Sequence, residues 1–292
     1  MARGLCSNWK QVIGFQFVGT TVRSKSLQRH ILLSVKKLEA LGLKVRAVVC
    51  DQGPTNRAAL SCLGMTKNNP SIELSGRNYL VIFDIPHLFK SLRNNFRKNL
   101  FVKVNGRVEA SWQDVVEFYN LDKSQSLRLA PKLTDVHLNP GLFKKQNVRM
   151  AVQVLSHTVA AGLHTYASVG LLAATAMQTS AFLERVDKLF DILNSRTLHV
   201  NRKSSKPLSS VTSEEFKFLE ESISWTKSWS FGKVLPFQWG LVNSIRAVVR
   251  LTRELLDEGF TMVFTSRFNQ DCIEARNFPL MATSNSKWLH EL

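Results

Sequence analysis

Asp51 ends the valine-rich run Leu43 to Cys50, and the turn-forming residues Gln52-Gly53-Pro54-Thr55-Asn56 stop the strand that this run predicts. A carboxylate at the C-terminal end of a strand commonly faces a ligand cleft. Glu274, on a helix expected near the end of the chain, is a second carboxylate that a closed fold could bring to the same place. Carboxylates gathered in this way hold divalent ions. Two magnesium ions about 4 Å apart activate a water or a 3′-hydroxyl and stabilise the leaving oxygen in phosphoryl transfer, a task that takes about three acids. The alternative for a single strand-end aspartate is a turn or cap contact. Asp271 and Glu274, at i and i+3, share a helix face and suit either joint action at one site or favourable charge near a helix N-terminus.

A second apolar run, Tyr79 to Phe83, ends in Asp84, and Pro86 suits the first turn of the helix that follows. On that helix Lys90, Arg93 and Arg97 fall at spacings of three and four. They form one cationic stripe, able to track a phosphate backbone or to face solvent, while Leu92 and Phe96 lie on another face. Asp187 and Asp191 lie one turn apart on a helix whose Phe182, Val186, Leu189 and Phe190 supply a packing face, and solvent exposure is the plain reading of the pair. His87, His137, His157 and His164 have no metal-ligand spacing joined to a second acid or cysteine pair, so they are assigned no chemistry. Neither G-x-x-x-x-G-K-[ST] nor G-x-G-x-x-G occurs, so a nucleotide would need a site of another kind.

The elements that must position these groups are α/β at both ends and helical between. Residues 10–18 favour a strand, and Leu27, Ile31, Val35 and Leu38 recur at helical spacing before a stop at Gly42. From about residue 104 the pattern is mainly helical: Trp112 to Tyr119, Val148 to Leu163, Leu171 to Leu193 and Phe216 to Trp225, with no comparable strand run. Residues 200–212 read as a loop, and Thr212 with Glu215 resembles a capping box. Leu251 to Glu258 then predicts a helix, Phe260 to Thr265 a strand, and Ser266 or Asn269 the cap of a last helix. The pattern implies one α/β fold, residues 1–100 and 251–292, interrupted by a helical insertion over 101–250.

With 44% apolar residues among 292, the chain can bury a large core. Lysine and arginine total 39 against 22 acids, a net charge of +17 and a pI near 10.0. That balance favours a polyanion such as nucleic acid, because phosphate contacts release counterions, although a solvated basic surface would have the same composition. Cys6, Cys50, Cys62 and Cys272 have neither C-x-x-C spacing nor the density of a disulfide scaffold, which suits reduced thiols. The start has no apolar run long enough for a signal peptide, and no stretch approaches the roughly 18 apolar residues of a membrane span, so a soluble protein with no membrane partner is expected.

Three runs, Val49-Cys50-Asp51-Gln52-Gly53-Pro54-Thr55-Asn56, Phe83-Asp84-Ile85-Pro86-His87-Leu88-Phe89-Lys90-Ser91-Leu92-Arg93-Asn94 and Asn269-Gln270-Asp271-Cys272-Ile273-Glu274, resemble in order and spacing signatures of P-element and THAP-domain transposases. Pro131-Lys132-Leu133-Thr134-Asp135-Val136-His137-Leu138 and Leu189-Phe190-Asp191-Ile192-Leu193-Asn194-Ser195 are similar to landmarks of that family's insertion domain. The resemblance covers nearly the whole chain. It implies an α/β RNase H-like fold, incomplete here with its first strand missing, interrupted by a mainly α-helical insertion of GTP-binding type. It also implies two aspartates and a glutamate that bind Mg2+ for DNA strand cleavage and transfer, Asp51 matching the second aspartate and Glu274 the glutamate. Lys132, Val148, Asp191 and Asp271 match guanine-nucleotide contacts, where an aspartate accepting from N1 and N2 of guanine would explain a preference for GTP that assists assembly without being hydrolysed. The partners implied are DNA at transposon ends and, in full-length relatives, further copies of the protein, in the nucleus.

The family's first catalytic aspartate precedes the motif similar to Gly4-Leu5-Cys6-Ser7-Asn8-Trp9-Lys10, whereas residues 1–50 hold no aspartate and one acid, Glu39. After Glu274, Ala275-Arg276-Asn277-Phe278 departs from the family pattern. The expectation is a transposase fragment that does not cut DNA alone. The alternative is a non-catalytic protein that binds DNA or a guanine nucleotide.

Overall fold

The computed structural model describes residues 1–15, 22–200 and 202–271. Its first strands are short: β1 (Ala2–Arg3) pairs antiparallel with β2 (Lys10–Gln11). The strand expected over 10–18 is thus limited to β2 among the described residues, and positions 16–18 lie outside them. Helix α1 (Ser24–Ala40) carries the predicted stripe of Leu27, Ile31, Val35 and Leu38. Then follow β3 (Ala47–Cys50), α2 (Pro54–Cys62), β4 (Ser71–Leu74), β5 (Arg77–Phe83) and α3 (Ile85–Asn99). β3 runs parallel to β5 with Cys50 opposite Phe83, and β4 lies antiparallel on the other edge of β5. This register sets Asp51 and Asp84 side by side, each one residue beyond a strand end. Pro54 and Pro86 open α2 and α3, where the missing N–H leaves no donor unsatisfied.

The region read as mainly helical starts with a hairpin. β6 (Phe101–Val104) and β7 (Arg107–Ser111) pair across Asn105-Gly106. Both turn residues have positive φ, 49° and 83°, as a two-residue turn matching the strand twist requires, and Asn-Gly was the signal for it. Helices α4 (Trp112–Asp122), α5 (Asp135–Leu138), α6 (Val148–Val154), α7 (His157–Ser168), α8 (Thr175–Leu193) and α9 (Glu214–Lys227) follow, and β8 (Trp229–Ser230) adds to β6. The single helix predicted from Val148 to Leu163 is therefore two, α6 and α7, broken at Leu155-Ser156. Ser213, one residue past the expected Thr212, caps α9 by accepting from Phe216 N at 3.2 Å. Phe96, Trp112, Phe182, Trp225 and Trp229 pack with ring centroids 4.9 to 6.3 Å apart. Such pairs add about 0.5–1.5 kcal/mol each beyond burial.

α10 (Pro236–Asp257) is one helix that runs through residue 250, where the change of domain was expected. Its face of Gly240, Ser244 and Ala247 is buried, and Ser244 joins it to the strand end: Oγ accepts from Phe83 N at 2.9 Å and donates to Phe83 O at 3.3 Å. α10 packs against both β5 of the sheet and α9 of the helical region. Its outer half was missed because its length is amphipathic like the helices before it. The strand predicted over 260–265 is a single bridge, Val263 to Leu208, followed by a 3-10 turn over Thr265–Phe268. Arg267 closes the fold on itself by donating to the carbonyls of Gly4, Leu5 and Ser7 at 3.0, 3.1 and 2.7 Å.

Candidate functional site

Asp51 is half-buried at the mouth of a cleft of about 380 Å3, lined also by Gly53, His87, Lys90, Ser91 and Phe237. Its Oδ1 accepts from Gly53 N at 2.7 Å and from Asn56 Nδ2 at 2.8 Å, so the turn contact and the cleft-facing carboxylate are the same residue. Among the described residues Oδ2 has no hydrogen-bond partner. Gln52 donates to Pro236 O at 2.7 Å and lies over Gly240, where a Cβ would come within 2.2 Å of Gln52 Nε2. The Asp51 turn is thereby held against the start of α10.

Asp84 is 1% exposed, and both its oxygens accept hydrogen bonds. Oδ1 accepts from Gln270 N at 2.6 Å, while Oδ2 accepts from His87 N at 3.0 Å and lies 2.7 Å from His87 Nδ1. It caps α3 and ties the chain just before Asp271 to the strand ends. Between the two acids, burial and then the charges of Asp51 and Asp84 push the Cys50 thiol up, so it stays neutral and offers no nucleophile. Both oxygens of Asp84 already accept inside the fold, whereas Asp51 Oδ2 does not accept among the described residues. Among the described residues no group of three histidine, cysteine, aspartate or glutamate side chains is placed to hold an ion. Glu274 lies outside the described residues, so Asp51 fits as one metal ligand and the described residues do not complete the set.

The cationic stripe does not form. Arg93 is fully buried, its Nη1 donating to His137 O and its Nη2 to Lys145 O, each at 3.4 Å. Burial, and then the charge of Arg97, push its guanidinium down to about 10. Arg97 donates through Nε to Leu138 O at 2.6 Å. The carbonyls at the end of α5 need donors, and α3 supplies them from the face that spacing alone assigned to solvent or phosphate. Of the three, Lys90 lines the Asp51 cleft. His137 is a buried histidine, with Nδ1 accepting from Thr134 N at 3.1 Å and Nε2 2.9 Å from Gln153 Oε1.

Asp191 and Asp271 meet one loop, residues 194–205. Ser204 and Ser205 donate to Asp191 Oδ2 at 3.2 and 2.8 Å, and Arg202 lies 3.1 Å from it. Asp271 pairs with Arg196 and accepts from Asn269 Nδ2 at 3.1 Å, and Asn269 also donates to Asn194 Oδ1 at 3.0 Å. Asp187 is buried, contrary to the solvent-exposed reading, and Arg202 pairs with it at 2.6 Å. Burial still holds its carboxyl above the ordinary range, against the pull of Arg202. Lys132 is exposed between α4 and α5, and Val148 opens α6. Among the described residues no hydrogen bond or ion pair joins Lys132 or Val148 to Asp191 or Asp271. Arg202, Ser204 and Ser205 were missed because a polar, serine-rich stretch reads as loop whatever it contacts.

A parallel strand pair ending in two aspartates, and a helix leading from it into a helical insertion, define an RNase H-like core with an inserted domain. Family models agree: "TNP-like, RNase H N-terminal domain" matches residues 1–64 and "TNP-like, GTP-binding insertion domain" matches residues 86–207. The Transposable element P transposase of Drosophila melanogaster is 29% identical over 282 residues, 94% of this chain and 36% of that protein. Human DNA transposase THAP9 is 30% identical over 213 residues, 68% of this chain and 22% of its own length. The solved Drosophila P element transposase strand transfer complex superimposes with a TM-score of 0.82 at 27% identity, over 94% of this chain and 62% of that one. The chain belongs to the P-element-type transposases and spans about a third or less of the relatives' full length.

Proposed function

We propose that this chain forms the metal- and DNA-handling part of a transposase core, with Asp51 and Glu274 as the carboxylates that bind Mg2+. The observation that carries this is the difference at the strand ends: Asp51 lines a cleft with one oxygen outside its turn contacts, while Asp84 is buried with both oxygens hydrogen-bonded inside the fold. Bound Mg2+ would supply activation of the attacking hydroxyl and stabilisation of the leaving oxygen. Asp51 would hold the ion from a turn that Gly53 and Asn56 keep rigid, and Lys90 would meet a DNA phosphate in the same cleft. The DNA substrate would be the transposon ends, in the nucleus, with further copies of the protein assembling in full-length relatives. The core is read as residues 1–100 and 251–292 around an insertion over 101–250, with α10 packed on the core. GTP would bind the insertion through Lys132, Val148, Asp191 and Asp271. The support for this is the convergence of the two aspartates on the 194–205 loop.

The test is Mg2+-dependent nicking and strand transfer on DNA carrying the element's ends. It compares the chain alone with the chain fused to an N-terminal segment that supplies one more aspartate-bearing strand. Activity is expected in the fusion and is expected to disappear in its Asp51→Ala and Glu274→Ala variants. A fusion that binds DNA or GTP and never cuts would instead establish the non-catalytic reading. Calorimetric titration with GTP and ATP tests the insertion: Asp191→Asn is expected to abolish discrimination between the two bases.

A further inference from the structure

Leu142 and Phe143, 80% and 93% exposed, are neighbouring large apolar residues that the insertion turns outward between α5 and α6. They sit on an ordered turn. Lys145 N donates to Gly141 O at 3.0 Å, Gln146 N to Phe143 O at 3.1 Å, and Asn147 N to Lys144 O at 3.1 Å. Asn147 then caps α6 by accepting from Met150 N at 3.0 Å. The turn is also fastened to α3, because Arg93 Nη2 and Asn94 Nδ2 both donate to Lys145 O, at 3.4 and 3.3 Å. Scattered exposed apolar residues are ordinary, but an adjoining pair on a fixed turn offers a partner apolar area that is already ordered.

Place and charge both say what that partner is. Gln146 lines the Asp51 cleft, and Phe143 precedes it by three residues, so their Cα atoms lie within about 11 Å of each other. Lys144 and Arg149 are exposed and Lys145 is half-buried, and no aspartate or glutamate occurs from residue 136 to residue 183. Among the described residues no ion pair joins these three cations to an acid. An apolar tip ringed by positive charge repels a second copy of a chain whose net charge is +17. It suits a strand whose bases present π-faces beside phosphates. We infer that Phe143, with Leu142 beside it, stacks on an unpaired base of a DNA strand at the mouth of the Asp51 cleft, while Lys144 meets an adjacent phosphate. A base inside a duplex has both faces covered by its neighbours, so the tip favours splayed or single-stranded DNA over intact duplex. This inference rests on the DNA-handling reading above.

The experiment is fluorescence anisotropy of the whole chain on two labelled DNAs, a blunt duplex and a fork with unpaired ends, across a salt series. Circular dichroism confirms folding, which truncation of exposed side chains should leave unchanged. The wild type is expected to bind the fork more tightly. Phe143→Ala is expected to weaken fork binding about five- to ten-fold and duplex binding by less than about two-fold. The slope of log affinity against log salt should not change in it, because an apolar contact releases no counterion. Phe143→Trp keeps a stacking face and should bind the fork as the wild type does, whereas Lys144→Ala should lower the slope by about 0.7 to 0.9. Fork binding at the wild-type level in folded Phe143→Ala, with duplex binding still salt-dependent, overturns the inference and leaves the DNA reading intact. Equal weakening of fork and duplex overturns it as well. So does sedimentation showing a wild-type dimer that Phe143→Ala dissolves at unchanged DNA affinity, which would make the tip an interface between copies. Absence of salt-dependent binding of either DNA by the wild type sinks both readings.

Discussion

Asp51 and Asp84 occupy the same place, one residue beyond the ends of adjacent parallel strands, and meet opposite fates. Asp51 has a turn beneath it and a cleft in front of it. Asp84 has the start of α3 and the chain at Gln270 closed over it, and three donors share its two oxygens. Strand-end position therefore marks where a carboxylate can serve a ligand, and what packs on the strand end decides whether it does. The same division runs along α3. Lys90 opens to the Asp51 cleft, while Arg93, one turn on, is sealed against the insertion.

The largest effect is expected at Asp84. Asp84→Ala strands His87 N, His87 Nδ1 and Gln270 N in the interior and should lower the unfolding free energy by about 3–5 kcal/mol. Asp51→Ala loses half-exposed turn contacts and should cost about 1 kcal/mol. Urea denaturation of the two variants measures the contrast, and a greater loss at Asp51 would reverse it. Next comes Arg93→Ala, which removes the donors to the His137 and Lys145 carbonyls and should cost about 2–4 kcal/mol. An Arg93→Ala chain as stable as the wild type would show that the insertion does not depend on that joint.

A smaller change is expected from Gly240→Ala. The added methyl meets the far end of a flexible side chain, so Gln52 should swing away and lose its bond to Pro236, about 1 kcal/mol. The Gln52→Ala, Gly240→Ala double variant should then be no less stable than Gln52→Ala, and thermal unfolding of the three would expose any backbone shift instead. The smallest change in stability is expected from Lys90→Ala, within about 0.5 kcal/mol. Its readout is a salt slope for DNA reduced by about 1. If Lys90→Ala destabilises as Arg93→Ala does, the two ends of α3 are not different after all.

Much of the frame was readable. A valine-rich run stopped by Asp-x-Gly-Pro and an apolar run stopped by Asp-x-Pro predicted β3, β5 and the helix after β5, because strand propensity, turn chemistry and N-terminal proline act within a few residues. The hairpin at Asn105-Gly106 was equally local, and was passed over because apolar period dominated the reading of that region. The split of Val148–Leu163 and the continuity of α10 through residue 250 were not readable from period alone, since a stripe of apolar residues looks the same whether or not its helix breaks.

By itself, then, the sequence determined the basic charge, the two strand ends that carry aspartate, the helical middle and the ordered motifs of the P-element-type transposases. Only the tertiary structure decided which aspartate faces a cleft, that Arg93 and Arg97 turn inward, and that His87 joins Asp84 beside Asp51. The reason is range. A turn or cap is set by neighbours in the chain, whereas burial of a polar group depends on partners 41 to 186 positions away, as Arg97 with Leu138 and Asp84 with Gln270 show.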